Sequence, residues 1–204
     1  MIIIWILAFV VAITIHEASH AWMADRLGDP TARLMGRLSL NPLVHYDPIG
    51  TTLLLALSIM RALGAPVIPF GWAKPVEFDP YNLKNPRRDS ALISFAGPAS
   101  NLLLSLVVSI FAHFFPSFAI FVVPFIILNV SLAIFNLIPI HPLDGGKILV
   151  GILPKKYAYN VENFLSRFGT ILLFFLIIPS FGGTSFVSQL ISPVINLFLV
   201  LLIP

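Results

Sequence analysis

His16-Glu17-Ala18-Ser19-His20 sets two imidazoles four residues apart with a carboxylate next to the first. On a helix, positions i and i+4 lie on one face with Cβ atoms about 5–6 Å apart, so both rings can converge on one tetrahedral metal ion. Glu17 is displaced around the helix and addresses a water on that metal rather than the metal itself. With 5 His and three Glu in 204 residues, this H-E-x-x-H pattern arises by chance in about two of a thousand such chains, so it is a specific signal. Cys is absent, which excludes disulfides and thiolate ligands and leaves His and carboxylates to hold any metal.

The elements that carry these residues are apolar. The chain is 58% hydrophobic and 10% charged, with mean hydropathy +0.96, far from the composition of a soluble domain. Apolar stretches over 1–15, 90–115, 118–140, 168–181 and 184–204 approach the roughly 20 residues that cross a hydrocarbon core of about 30 Å. An ionisable group at the centre of such a helix costs about 2.5–3.5 kcal/mol, so three within five residues require a purpose. Residues 1–4 lack a basic region and no small-residue cleavage site precedes His16, so the first helix is expected to be retained.

The reading is an all-α polytopic membrane protein forming a single membrane-embedded domain over 1–204. Three core helices fall at about 2–24, 90–114 and 118–140, and two further transmembrane helices at about 163–179 and 185–203. Between the first two core helices, 25–89 is irregular, proline-rich chain: a re-entrant or interfacial segment at 49–64, and short membrane-associated β-strands at 36–40 and within 67–78, where Pro69 and Pro75 suit an edge strand or hairpin.

Charge decides whether 49–64 crosses. If it does not, Arg26, Arg33, Arg37, Arg61, Lys74, Lys84, Arg87, Arg88, Lys147, Lys155, Lys156 and Arg167 all lie on one side, and the turns near 113–118 and 179–185 carry no Lys or Arg. If it does, the bias disappears. The net charge of +3 thus reflects orientation rather than a nucleic-acid partner. The N-terminus is then outside, and the inner ends of the first and third core helices share one depth.

A catalytic zinc takes three protein ligands and keeps one position open. Asp144, in Asn136-Leu137-Ile138-Pro139-Ile140-His141-Pro142-Leu143-Asp144-Gly145-Gly146, lies at the inner end of the third core helix, at the depth of His16 and His20. Pro139 and Pro142 break that helix, and Gly145-Gly146 is expected to turn the chain so that the carboxylate points inward.

These pieces, with Phe95-Ala96-Gly97-Pro98-Ala99-Ser100-Asn101 and Asn41-Pro42-Leu43-Val44-His45-Tyr46-Asp47-Pro48-Ile49-Gly50, resemble the site-2 protease family of intramembrane zinc metalloproteases, peptidase family M50, in a small bacterial-type form. The resemblance implies one catalytic Zn2+ ion per chain, three core helices, and hydrolysis of a transmembrane protein substrate near the cytoplasmic face of the cell membrane. It implies that 36–40 and 66–78 form the β-loop region that receives substrate; the sequence departs from larger relatives in leaving no room for the PDZ or CBS domains they carry. His16, His20 and Asp144 are the expected metal ligands and Glu17 the general base. Asn136 is read as a hydrogen-bond donor to the substrate backbone or oxyanion, with an interhelical bond as the equal alternative, and His45 as a gate or accessory ligand against an interfacial histidine. His141 and His113 are read as non-ligands, Gly97 and Pro98 as helix-packing residues, and Asn101 as a bond across helices. Homo-oligomerisation stays open. A metal transporter would spread carboxylates along the membrane depth, and a catalytically idle interaction protein would not need Glu17.

Overall fold

The computed structural model describes residues 2–62, 64, 72–178 and 185–204. Helix α1, Ile2–Leu27, runs three residues past the expected end and stops at Gly28. There Gly28 N–H donates to the Asp25 carbonyl and Asp29 N–H to the Ala24 carbonyl, the paired bonds that close a helix C-terminus. The one-turn α2, Thr31–Leu34, follows. Helix α3, Gly50–Ala62, has 13 residues, about 20 Å of rise, which is short of the hydrocarbon core. Helix α4, Pro86–Phe114, opens with proline at its first turn, where no N–H is needed. Helix α5, Ala119–Asn136, ends four residues before the expected boundary. Helices α6, Asp144–Ile152, α7, Lys155–Ile177, and α8, Phe186–Leu202, complete the chain.

Among the described residues, four helical stretches are long and apolar enough to cross a membrane: Ile2–Leu27, Pro86–Phe114, Pro116–Asn136 and Lys155–Ile177. The protein is a multi-pass, all-α membrane protein. The fifth expected span, α8, is a shorter apolar helix of 17 residues.

At the centre, α4 packs against α1, α5 and α6. Many of the buried residues there are small, Ala8, Ala12, Ala21 and Ala24 from α1, Ser94, Ala96, Gly97, Ser105 and Ala112 from α4, and Ala133 from α5, beside the larger Ile93, Ile126 and Val130. Between membrane helices no hydrophobic force favours bulk, and small residues let backbones approach. Large apolar side chains such as Leu103, Val107, Phe174 and Phe175 are exposed around the perimeter.

Three expectations are corrected. No strand forms at 36–40: Gly36 turns the chain with φ 71°, and the loop bonds within itself. Arg37 Nη1 donates to the Val44 carbonyl and His45 Nε2 donates to the Ser39 carbonyl, so these groups need no neighbouring strand. Of the second strand region, 67–71 lies outside the described residues, and 72–78 forms no ladder. Its Lys74 N–H donates to the His45 carbonyl and its Val76 N–H to a side chain, so its bonds are not made to another strand. Gly145-Gly146 does not turn the chain but forms the first turn of α6, a helix the sequence reading did not anticipate. A Cβ at 145 would run into the carbonyls of Leu137 and Ile138, so glycine here permits α6 to start against the end of α5.

Candidate active site

Helix α1 presents His16 and His20 on one face, both buried, with ring centroids 4.6 Å apart and planes at 89°. Each imidazole is held through Nδ1. His20 Nδ1 lies 2.7 Å from the Ile93 carbonyl, which can only accept, so Nδ1 carries the proton and Nε2 the lone pair. His16 Nδ1 lies 2.6 Å from Asn101 Oδ1 and takes the same tautomer. Both acceptors belong to α4, which crosses closest at Gly97: a Cβ there would sit 2.5 Å from His20 Nε2 and 2.7 Å from His16 Cε1. Glycine at 97 therefore makes the room that the two rings occupy.

Asp144, at the start of α6, completes the cluster, and the three ligating atoms all lie within 4.8 Å of one another. Its Oδ2 is 3.2 Å from His16 Nε2 and 3.3 Å from His20 Nε2, and it is buried without a hydrogen-bond partner. Two lone pairs thus face a carboxylate oxygen with no proton between them, an arrangement that a cation would relieve. The spacing fits: ligands about 2.0–2.1 Å from a tetrahedral zinc stand about 3.3 Å from each other. The donor set of two imidazoles and one carboxylate is that of catalytic zinc sites, with the fourth position left for water.

Glu17 is half-buried beside this cluster, and its Oε2 accepts the Val76 N–H at 3.0 Å. The extended segment around Val76 is fixed at both flanks. Upstream, Lys74 N–H bonds the His45 carbonyl at 2.9 Å; downstream, Asp79 N–H bonds Asp29 Oδ2 at 2.8 Å. Lys147, one turn after Asp144 on α6, places its ammonium 4.6 Å from the centroid of the Phe78 ring. A cavity of about 870 Å³ opens on the other side of this segment, lined by Val76, Phe78, Arg87, His141, Lys147 and Glu162 among others.

The remaining candidates are not brought to the cluster. Asn136 turns its Nδ2 onto the Leu132 carbonyl of its own helix, at 3.0 Å. His45 is buried, donates to the Ser39 carbonyl at 2.9 Å and ties the 39–45 loop together. His141 lines the cavity instead, where burial first and Lys147 second push its imidazole below its usual pKa. His113 bonds the Ser109 carbonyl one turn back on α4. Sequence reasoning missed the bond from Val76 to Glu17, the contact of Lys147 with Phe78, and Asn129, an amide in the apolar α5 that bonds Asn101. Only Asn129 left a signal, a fully polar side chain in a run of aliphatic residues.

The peptidase family M50 model matches residues 4–121 and 117–176, which include nearly all of α1 and all of α4, α5 and α6. The chain belongs to peptidase family M50. Among its relatives, the candidate zinc metalloprotease YwhC of Bacillus subtilis is 33% identical over 94% of this chain and 85% of its own length. Zinc metalloprotease MJ0392 of Methanocaldococcus jannaschii is 26% identical over 77% of this chain and 37% of its own length. Stage IV sporulation protein FB of Bacillus subtilis is 27% identical over 74% and 52% respectively. The chain thus spans most of the first relative but about half or less of the other two. No solved structure matches it significantly.

Proposed function

We propose that this M50 peptidase is an intramembrane zinc metalloprotease that hydrolyses peptide bonds within or near the transmembrane segments of membrane proteins. One observation carries the reading. His16 Nε2, His20 Nε2 and Asp144 Oδ2 converge with tetrahedral spacing between helices of membrane-spanning length, and Glu17 stands beside them. His16, His20 and Asp144 would hold a zinc ion, which would supply the Lewis acidity that makes a water nucleophilic near neutral pH.

The protein's own groups do the rest. Glu17 takes the proton of the attacking water on a carboxylate oxygen and returns it to the nitrogen of the leaving amine. The Val76 N–H holds Glu17 Oε2 and so restricts the rotamer from which the proton is taken. The helices α1, α4 and α5 around the pair exclude lipid, and Gly97 lets α4 close over the imidazoles. Asn136, the last residue of α5, is the amide that would bond a substrate carbonyl on release from the Leu132 carbonyl. The transporter reading is less favoured, because the acidic residues at membrane depth gather at one site rather than along a path.

The test is direct. Purified protein is expected to carry one zinc per chain, and Glu17→Gln to keep the zinc while losing cleavage of transmembrane substrates by about 100-fold or more. Bound zinc with cleavage indifferent to Glu17→Gln would overturn the protease reading. A helical substrate must unwind before attack, and the extended 72–79 segment beside Glu17 is suited to receive it by strand addition. Glu77→Pro, which removes a main-chain donor there, is expected to reduce cleavage at unchanged zinc content; cleavage at the wild-type rate would argue against strand addition.

A further inference from the structure

We infer that Asn101 and Asn129 form a relay across three helices whose task is to select the metal-binding tautomer of His16. Both amides are fully buried. Asn129 Nδ2 lies 2.8 Å from the Phe125 carbonyl of its own helix, and a carbonyl can only accept. That contact directs the Asn129 carbonyl oxygen toward Asn101, whose Nδ2 lies 2.7 Å away. The same Asn101 Nδ2 lies 2.9 Å from the Ala12 carbonyl of α1, a second obligatory acceptor.

With both amide hydrogens committed in this way, Asn101 can offer His16 only its oxygen, at 2.6 Å. Nδ1 must then carry the imidazole proton, and Nε2 keeps its lone pair toward Asp144 and the metal position. Were the Asn101 amide reversed, its oxygen would oppose two acceptors and its NH2 would face His16. The ring would then favour a proton on Nε2, where it blocks ligation.

The two ligand histidines are set differently. His20 is oriented by a main-chain carbonyl, Ile93, which every side chain at 93 would supply. His16 is held by a side chain, Asn101 of α4, which Asn129 of α5 and the Ala12 carbonyl of α1 orient together. Asn101 and Asn129 are therefore positioning residues, and they join the packing of α1, α4 and α5 to the state of a single imidazole. Partners behind a ligating histidine typically change metal affinity by about 10–100-fold.

The inference rests on the metal-site reading, but its main test does not. With the five histidines 15N-labelled, the ring nitrogens of His16 in metal-free protein report its tautomer. Wild type is expected to show the Nδ1–H form at both His16 and His20. Asn129→Leu, of similar volume, is expected to move His16 toward the Nε2–H form, leave His20 unchanged, and weaken zinc binding in chelator competition by about 10-fold or more. Asn129→Asp is expected to restore both readouts, since a buried aspartic acid stays neutral and can donate to Phe125 while accepting from Asn101. An Nε2–H tautomer at His16 in metal-free wild type would overturn the relay even if Asn129→Leu failed to fold. So would wild-type tautomer and zinc affinity in a folded Asn129→Leu protein. Failure of the protease reading would show as missing cleavage with the His16 tautomer intact.

Discussion

At the scale of single residues, the metal position depends as much on what is absent as on the ligands. Gly97 leaves open a volume that a methyl group would share with both imidazoles, 2.5 Å from His20 Nε2 and 2.6 Å from His20 Cε1. Gly97→Ala should therefore separate two properties that usually move together. Alanine favours a helix over glycine by about 1 kcal/mol, so helicity and expression should hold. The overpacking of about 1–3 kcal/mol falls on the ligand rings and should weaken zinc binding by about 5- to 150-fold. Chelator competition beside circular dichroism reads both, and wild-type zinc affinity in Gly97→Ala would refute the close crossing of α4. The same residue illustrates what sequence conveys. H-E-x-x-H was legible because its geometry is contained in one helical turn. The need for glycine at 97 was legible only as close packing, because the partner that fills the space is 77 or more positions away along the chain.

At the scale of elements, the segment that reaches Glu17 is held by a clasp on Asp29. This buried carboxylate receives Thr31 Oγ1 at 2.6 Å, Thr31 N–H at 3.2 Å, Asp79 N–H at 2.8 Å and Asn82 Nδ2 at 2.8 Å, so it joins the end of α1 to the chain leaving the site. Burial alone would raise its pKa, but the bonds from Thr31, Asn82 and Asp79 outweigh it and hold the carboxyl below its usual value. A lowered folded pKa contributes stability that is full above the unfolded value of about 3.9 and is lost as pH falls through the lower folded value. Asn at 29 would oppose its NH2 to donors already present, so Asp29→Asn should cost about 1–3 kcal/mol at pH 7. The gap to wild type should narrow on acidification to about pH 3 and below. Thermal unfolding in detergent at both pH values checks this, and a gap independent of pH would remove the charge from the explanation. This clasp also explains why the loop region was the least legible part of the chain. Its alternating residues at 36–40 suggested a strand, yet its polar groups are satisfied by Arg37 and His45, side chains whose targets no local pattern reveals. Helix α6 was hidden for a related reason: Gly145-Gly146 reads as a turn until the carbonyls of Leu137 and Ile138 are seen to occupy the space of a side chain.

At the scale of the whole molecule, one geometric demand ties topology to chemistry. Asp144 must reach the C-terminal half of α1, which holds His16 and His20. With α4 and α5 as consecutive spans, the end of α5 returns to the side from which α4 began. The ligands therefore meet at one depth only if the chain between α1 and α4 leaves and rejoins the membrane on a single side. The 13-residue α3 is too short to upset this. Every Lys and Arg from Arg26 after the histidines to Lys156 at the start of α7 then falls on that side, and Arg167 stands midway along α7. The positive-inside rule predicts that side to be cytoplasmic and the turn at Pro116–Phe118 to be external. The absence of cysteine makes the orientation measurable in otherwise intact protein. Ser117→Cys and Lys84→Cys each introduce one thiol at an exposed position. In intact cells an impermeant maleimide should label Ser117→Cys and spare Lys84→Cys until the membrane is permeabilised. The reverse pattern would invert the protein and place the zinc site near the outer face. Labelling of both from outside would break the link between 25–89 and a single side, and with it the account of how Asp144 comes to meet His16 and His20.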